Sequence, residues 1–303
     1  MNSSIYKYMK PGLIYFMAYP EVIKGEGPVL ETIKKILTDE YFQAIDITWI
    51  KDETTRKAAK KMLDSSHMTV TYGAHPRLLT TGLNINDLDE EGRLKALDTL
   101  KQGIDEAYEM GAEEFTFLSG KYVKGKEEEC YSRLVESTRE LCRYARVRGD
   151  LKIVLEVFDF DVDKRSLIGP SGLAKRFAGE IRKEFDNFGL AVDLSHIPLI
   201  GENMEEALIP VKDYLVQVHM GNCILKDPSL PGYGDMHPRF GFPGSENDVE
   251  QLAEFLRILM KIGFLNEKDP PVVHFEVKPF GDEDSDIVIA NSKRVLNRAW
   301  AQV

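Results

Sequence analysis

Short apolar runs of β type alternate with longer stretches of helical period, and the alternation continues from one end of the chain to the other. Strands are predicted at 13–19 (LIYFMAY), 44–50 (AIDITWI), 68–74 (MTVTYGA), 113–120 (EEFTFLSG), 152–159 (KIVLEVFD), 188–196 (FGLAVDLSH), 214–221 (YLVQVHMG) and 272–279 (VVHFEVKP). Helices are predicted from Pro28, at 53–63, at 88–110 closed by Gly111, at 126–148 closed by Gly149, at 172–185, at 204–209, at 248–262 closed by Gly263, and at 285–300. Eight strand–helix pairs in 303 residues match the size of a closed (β/α)8 barrel, about 250 residues plus loop insertions. An open doubly wound sheet usually places a glycine-rich phosphate loop after its first strand, and MAYPEVIKGEGP lacks that spacing. The expectation is an α/β protein, a (β/α)8 TIM barrel forming a single domain over residues 1–303. Its longest irregular stretch, 222–247, follows the seventh strand and would lie over the C-terminal face, where barrel loops carry function.

Composition narrows the partners. The chain has 39 Lys and Arg against 50 Asp and Glu, a formal charge of −11. Proteins that track a phosphate backbone usually carry a basic face, so nucleic acid is disfavoured. The apolar runs are too short to span a bilayer, and the 13–19 run lacks a cleavage site after it, so neither a membrane span nor a signal peptide is expected. Cys130, Cys142 and Cys223 are odd in number and lack CxxC spacing, which argues against a disulfide framework and a thiolate zinc site, and for a reducing cytoplasm.

The informative residues interrupt the last four strands. Glu156 breaks IVLEVFD, Asp193 breaks LAVDLSH, His219 breaks LVQVHMG and Glu276 breaks VVHFEVKP. A lone carboxylate at a strand end commonly caps a loop or a helix. Four ionisable residues at matching heights on successive strands, spaced about 4.8 Å apart, converge on one volume, and burying them unpaired would cost several kcal/mol each. That set predicts a site for one divalent cation, with oxygen-rich ligation and a single imidazole favouring Mn2+, Mg2+ or Co2+ and accommodating Zn2+. Gln217 and His274, two residues earlier on their strands, should point the same way one layer deeper.

With these residues in place, the chain resembles the xylose isomerase-like TIM-barrel superfamily, the sugar phosphate isomerases and epimerases. The resemblance covers nearly the whole length. It is carried by the Glu of VLEVFD, the D-x-x-H of Asp193 to His196, the His of VQVHMGN, the segment HPRFGFPGSENDV and the Glu of HFEVKP. It implies proton transfer at a carbon next to a carbonyl, through a metal-stabilised enediolate, on a small carbohydrate substrate. Glu156 and Glu276 would be the catalytic acid/base pair and also ligands, and His196 would contact a substrate oxygen. A homo-oligomer is expected from the family alone. Other substrate contacts expected near the mouth are His75, Arg77, Asn222, Arg239 and Lys278; the tripeptide His-Pro-Arg occurs at 75–77 and again at 237–239.

The sequence also departs from the sugar 3-epimerases. They carry a Glu and an Arg shortly after the strand-seven histidine, where this chain reads His219-Met-Gly-Asn-Cys. Enolate-forming lyases share the fold and provide one alternative. A multinuclear hydrolase is another: endonuclease IV surrounds three zinc ions with a similar order of ligands, and Asp235 with His237 would hold a second metal here. The strand-four histidine of that enzyme is missing, since this chain reads FLSGKY.

Overall fold

The computed structural model describes residues 3–303, so residues 1 and 2 of the expected domain lie outside the described residues. Eight strands close into a barrel in chain order: β1 (Lys10–Ile14), β2 (Ala44–Ile47), β3 (Thr69–Gly73), β4 (Glu114–Leu118), β5 (Lys152–Val157), β6 (Phe188–Asp193), β7 (Leu215–Gly221) and β8 (Val272–Glu276). All neighbours pair in parallel, and β8 returns to β1. Helices at Val29–Leu37, Glu53–Ser66, Glu90–Met110, Glu127–Arg146, Ser171–Ile181, Met204–Leu208, Val249–Lys261 and Ser285–Trp300 follow the strands in turn. Asp52, Asp89 and Asp284 cap three of them by accepting first-turn backbone N–H groups, and Gly111 ends one at φ 75°. The expected single-domain (β/α)8 barrel is the fold. No helix among the described residues is long and apolar enough to cross a membrane.

Seven strands fall inside their predicted runs, and the first does not. β1 starts at Lys10, and Tyr15–Ala18, expected as strand, is a helical turn. Tyr15, Phe16 and Ala18 are all buried, and a run buried on every side has no period that separates strand from helix. Pro11 stays in the ladder through its carbonyl, which accepts from the Gln43 N–H at 2.8 Å.

Register fixes which side chains face the barrel interior, because paired residues on parallel neighbours point the same way. Around the ring, Gly12 pairs with His274 and Ala44, Asp46 with Thr71, Thr116 with Val154, Glu156 with Ala191, Asp193 with His219, and Gly221 with Glu276. Between β6 and β7 the register jumps from Leu190 opposite Leu215 to Ala191 opposite Gln217, leaving Val216 as an extra residue. Barrels commonly fill this space with branched aliphatic residues. Here Asp46, Thr71, Thr116, Gln217, His219 and His274 are buried in it, and small residues make room. A Cβ on Gly12 would lie 2.5 Å from His274 Cδ2, and one on Gly73 would lie 2.5 Å from Asp46 Oδ2 and 2.7 Å from Phe16 Cζ. The apolar core sits instead between the sheet and the helices, with Phe115, Phe117, Phe177, Phe255 and Phe275 fully buried.

Gly12→Ala and Gly73→Ala should therefore each destabilise the barrel by about 1–3 kcal/mol, read from urea midpoints. Unchanged midpoints in both variants would mean that the polar interior yields easily and is not closely packed.

Candidate metal centre

Glu156, Asp193, His219 and Glu276 stand at or near the C-terminal ends of β5, β6, β7 and β8 and point into the barrel mouth. Each contributes a ligand-type atom, and these atoms all lie within 4.8 Å of one another. His219 Nδ1 is 3.1 Å from Glu156 Oε1 and 3.0 Å from Glu276 Oε2. Asp193 Oδ1 accepts from the Ser195 N–H, which leaves Oδ2 facing the cluster. The exposure of the four is 1%, 0%, 1% and 7% in chain order, so water does little to stabilise their charge.

A second cluster adjoins the first. His196, Asp235 and His237 also offer ligand atoms within 4.8 Å of one another, and all three are buried. His196 Nε2 and His237 Nε2 lie 3.0 and 2.9 Å from Asp235 Oδ1. The His196 ring is set by its Nδ1–H, which donates to the Val157 carbonyl at 2.7 Å, and this turns Nε2 toward Asp235. His237 has φ 53°, a left-handed conformation costly for a residue with a Cβ. The Lys278 N–H holds its carbonyl at 2.7 Å. The clusters share carboxylates: His237 Nε2 is 3.4 Å from Glu276 Oε1, and His75 Nε2 is 2.9 Å from Glu156 Oε2.

The donor set fits a divalent cation. Asp193 Oδ2, Glu276 Oε2, Asp235 Oδ1 and His196 Nε2 are buried and lack hydrogen-bond partners despite such close neighbours. Atoms this near each other without hydrogen-bond alignment are aimed at a common point, as ligands are. The pKa directions agree. Burial opposes every charged form here, and the neighbours decide the outcome. His219 and His75 hold Glu156 well below the usual carboxylate range against its burial. Burial, with Glu276 nearby, pushes Asp193 up to about 6. Burial lowers the imidazoles, but Asp235 outweighs it and raises His196 to about 10 and His237 to about 9. Imidazole protons and a divalent cation are alternative ways of balancing the same carboxylates.

Several residues expected at the mouth are engaged elsewhere. Arg77 is buried on the outer side of β3, where its Nε donates to Tyr72 Oη at 2.9 Å and its guanidinium pairs with Glu106. Gly103 leaves the space, since a Cβ there would lie 3.0 Å from Arg77 Nε. Arg239 donates to Glu283 at 2.7 Å and to the Gly241 carbonyl. Asn222 braces the 222–247 loop, donating to the Arg239 carbonyl and Ser245 Oγ and accepting from the backbone N–H groups of Cys223 and Asn247. Lys278 is half-buried with its ammonium 5.8 Å from the Phe280 ring centroid. His75 does join the cluster, and His196 belongs with Asp235 and His237. Two residues escaped the sequence reading. Asp46 is buried in the barrel, accepts from Thr71 Oγ1, and is raised by burial to about 7. Lys164 lies 3.2 Å from Asp235 Oδ2, placed by a loop in which Asp159 accepts the N–H groups of Val162, Asp163 and Lys164. The cysteines are free and buried.

Binding a cation to Glu156, Asp193, His219 and Glu276 must displace the proton of His219, which its carboxylate neighbours hold well above the usual imidazole range against burial, so apparent affinity should rise with pH. Competition titrations with Co2+ should tighten steadily from about pH 6, the value to which burial raises Asp193, through the higher range in which His219 gives up its proton. Affinity that stays flat with pH would remove His219 from the ligand set.

The sequence matches the family of xylose isomerase-like TIM barrels over residues 38–280. No curated protein matches it. Among solved structures, D-psicose 3-epimerase from Clostridium cellulolyticum H10 with D-tagatose is similar at TM-score 0.69 and 17% identity, covering 97% of this chain and 99% of that one. A xylose isomerase-like TIM barrel protein from Mycobacterium smegmatis in complex with magnesium gives 0.64 at 15% identity, over 99% of both chains. The IOLI protein with a bound zinc atom gives 0.72 at 16% identity, over 97% of this chain and 99% of that one. At such identities these likenesses establish a common fold. The family match spans seven of the eight strands together with every residue of both clusters, and the chain belongs to the xylose isomerase-like TIM barrel family.

Proposed function

We propose that the protein is a divalent-metal-dependent isomerase or epimerase of a sugar or sugar derivative, moving a proton at the carbon next to a carbonyl. The observation that carries this reading is the placement of Glu156 and Glu276 on β5 and β8, three strands apart in the ring, around His219 and Asp193. These four residues would hold a divalent cation, with Mn2+, Mg2+ or Co2+ favoured and Zn2+ accommodated, which would supply positive charge beside the substrate's carbonyl oxygen. The proton work falls to the protein. Carboxylates arriving from different sides of the mouth suit removal of a proton on one face and its return on the other. His75, 2.9 Å from Glu156 Oε2, keeps that carboxylate oriented and ionised. The near-complete burial of the four side chains leaves them little contact with bulk water. The psicose and magnesium-bound structures that share the fold lend support to a carbohydrate substrate and a cation.

A second reading is favoured by the triad of His196, Asp235 and His237, which has the donors for a second cation beside the first. Two ions sharing Glu276 would suit hydrolysis of a phosphoester better than epimerisation.

Elemental analysis of protein purified without chelator, combined with solvent deuterium incorporation into ketoses and aldoses, separates the two. One metal per chain with deuterium entering next to the carbonyl supports the isomerase, whereas two metals with phosphodiester cleavage and no deuterium support the hydrolase. Glu276→Gln and Glu156→Gln should each slow turnover by about 10²- to 10⁴-fold and weaken metal binding. Near-normal rates in either variant would withdraw the acid/base assignment.

A further inference from the structure

Beneath the cluster, a chain of side-chain hydrogen bonds descends through the barrel. His219 turns Nδ1 toward Glu156 and Glu276, and its Nε2 lies 3.0 Å from Gln217 Oε1. The same amide oxygen accepts from Thr116 Oγ1 at 2.9 Å, and Gln217 Nε2 donates to Glu114 Oε2 at 3.2 Å. Gln217 is fully buried, and Lys152 is the register partner of Glu114 on β5.

An amide in such a place has two orientations with opposite consequences for the ring above it. With its nitrogen upward, Gln217 would donate to His219 Nε2, sending the ring proton to Nδ1 and blocking the atom that faces the carboxylates. With its oxygen upward, Nε2 keeps its proton, and the proton that a cation displaces leaves from Nδ1, freeing that lone pair for the metal. Glu114 selects between them. Burial raises Glu114 to about 7 although Lys152, its register partner, draws it down; once ionised its carboxylate only accepts, so the amide nitrogen turns down toward it and the oxygen turns up.

We propose that Glu114 and Gln217 are a positioning pair that fixes the tautomer of His219 and keeps Nδ1 available as the metal-binding atom. Neither residue touches substrate or metal; both act through His219. The inference rests on the reading of His219 as a ligand, and its test separates the two.

The test is Co2+ affinity of the full chain, measured by chelator competition alongside the melting temperature without added metal. The proteins are wild type, Gln217→Leu, Glu114→Gln, and the exchanged pair Glu114→Gln with Gln217→Glu. Gln217→Leu should weaken Co2+ by about 10- to 100-fold, and Glu114→Gln should weaken it less. The exchanged pair should recover most of the loss, because a carboxylate at 217 still accepts from Nε2–H while the amide at 114 donates to it. Wild-type affinity in Gln217→Leu, or an exchanged pair as weak as the single variants, overturns the proposal. If Gln217→Leu does not fold, Glu114→Met, measured alongside, decides, since it removes the acceptor at nearly the same volume: weakened Co2+ binding supports the pair and unchanged binding overturns it. A wild-type chain that binds no Co2+ removes the ligand reading of His219, and the positioning role with it.

Discussion

Four carboxylates, those of Glu156, Asp193, Asp235 and Glu276, stand almost dry at the mouth of the barrel. Several kcal/mol oppose each such charge unless it is paired, and much of the surrounding architecture answers that cost. Four histidines and Lys164 converge on the carboxylates from five connecting segments and strand ends. The loop after β5 is wound around Asp159 so that Lys164 reaches Asp235. The long loop after β7 accepts a left-handed His237 so that its ring reaches Asp235 and Glu276. Backbone strain and loop length are both tolerated where they bring positive charge or ligand nitrogens to buried oxygens.

The same demand shapes the barrel below. Most of the protein's apolar packing lies outside the sheet, where the helices cover it, and that layer frees the interior from a purely stabilising role. Thr71, sited between Asp46 and His274, donates to Asp46 and lies 3.3 Å from His274 Nε2. Thr116 and Gln217 serve His219 in the same way. Glycines at 12 and 73 are the complement of these side chains, since a methyl group at either position would occupy the space of a polar one.

The barrel was legible because its strands are apolar runs separated by long helical periods, a pattern that survives errors at the ends of elements. The four-residue site was legible for a different reason: a carboxylate inside an apolar strand is expensive, so a repeated one implies compensation. Asp46 in AIDI carries the same signal on β2, but it stands apart from the four consecutive strands and so forms no repeated pattern with them. The duplicated His-Pro-Arg was misleading. His75 and His237 both face the site, whereas Arg77 lies in a short helix that turns it outward to Glu106, and Arg239 turns back to Glu283. The union of His196 with Asp235 and His237 depends on the three-dimensional path of a 26-residue loop and a positive φ, neither of which leaves a period in the sequence.

The extra residue at Val216 carries a consequence for how this chain can change. Side chains on a strand alternate between two faces, so one inserted residue exchanges the faces for everything that follows. Without the jump opposite Leu190 and Ala191, Val218 would stand beside Asp193, and His219 would point toward the helices. The spacing between Gln217 and His219 is thus counted in parity as well as in length, while the bulge at Val216 absorbs one step. Loss of Val216 itself would remove the bulge and keep His219 opposite Asp193, whereas loss of one residue between Gln217 and His219 would carry the imidazole to the wrong side of the wall. Length variation among chains built on this plan should therefore take single steps at the bulge and avoid them between Gln217 and His219, however freely it occurs in the loops at either end.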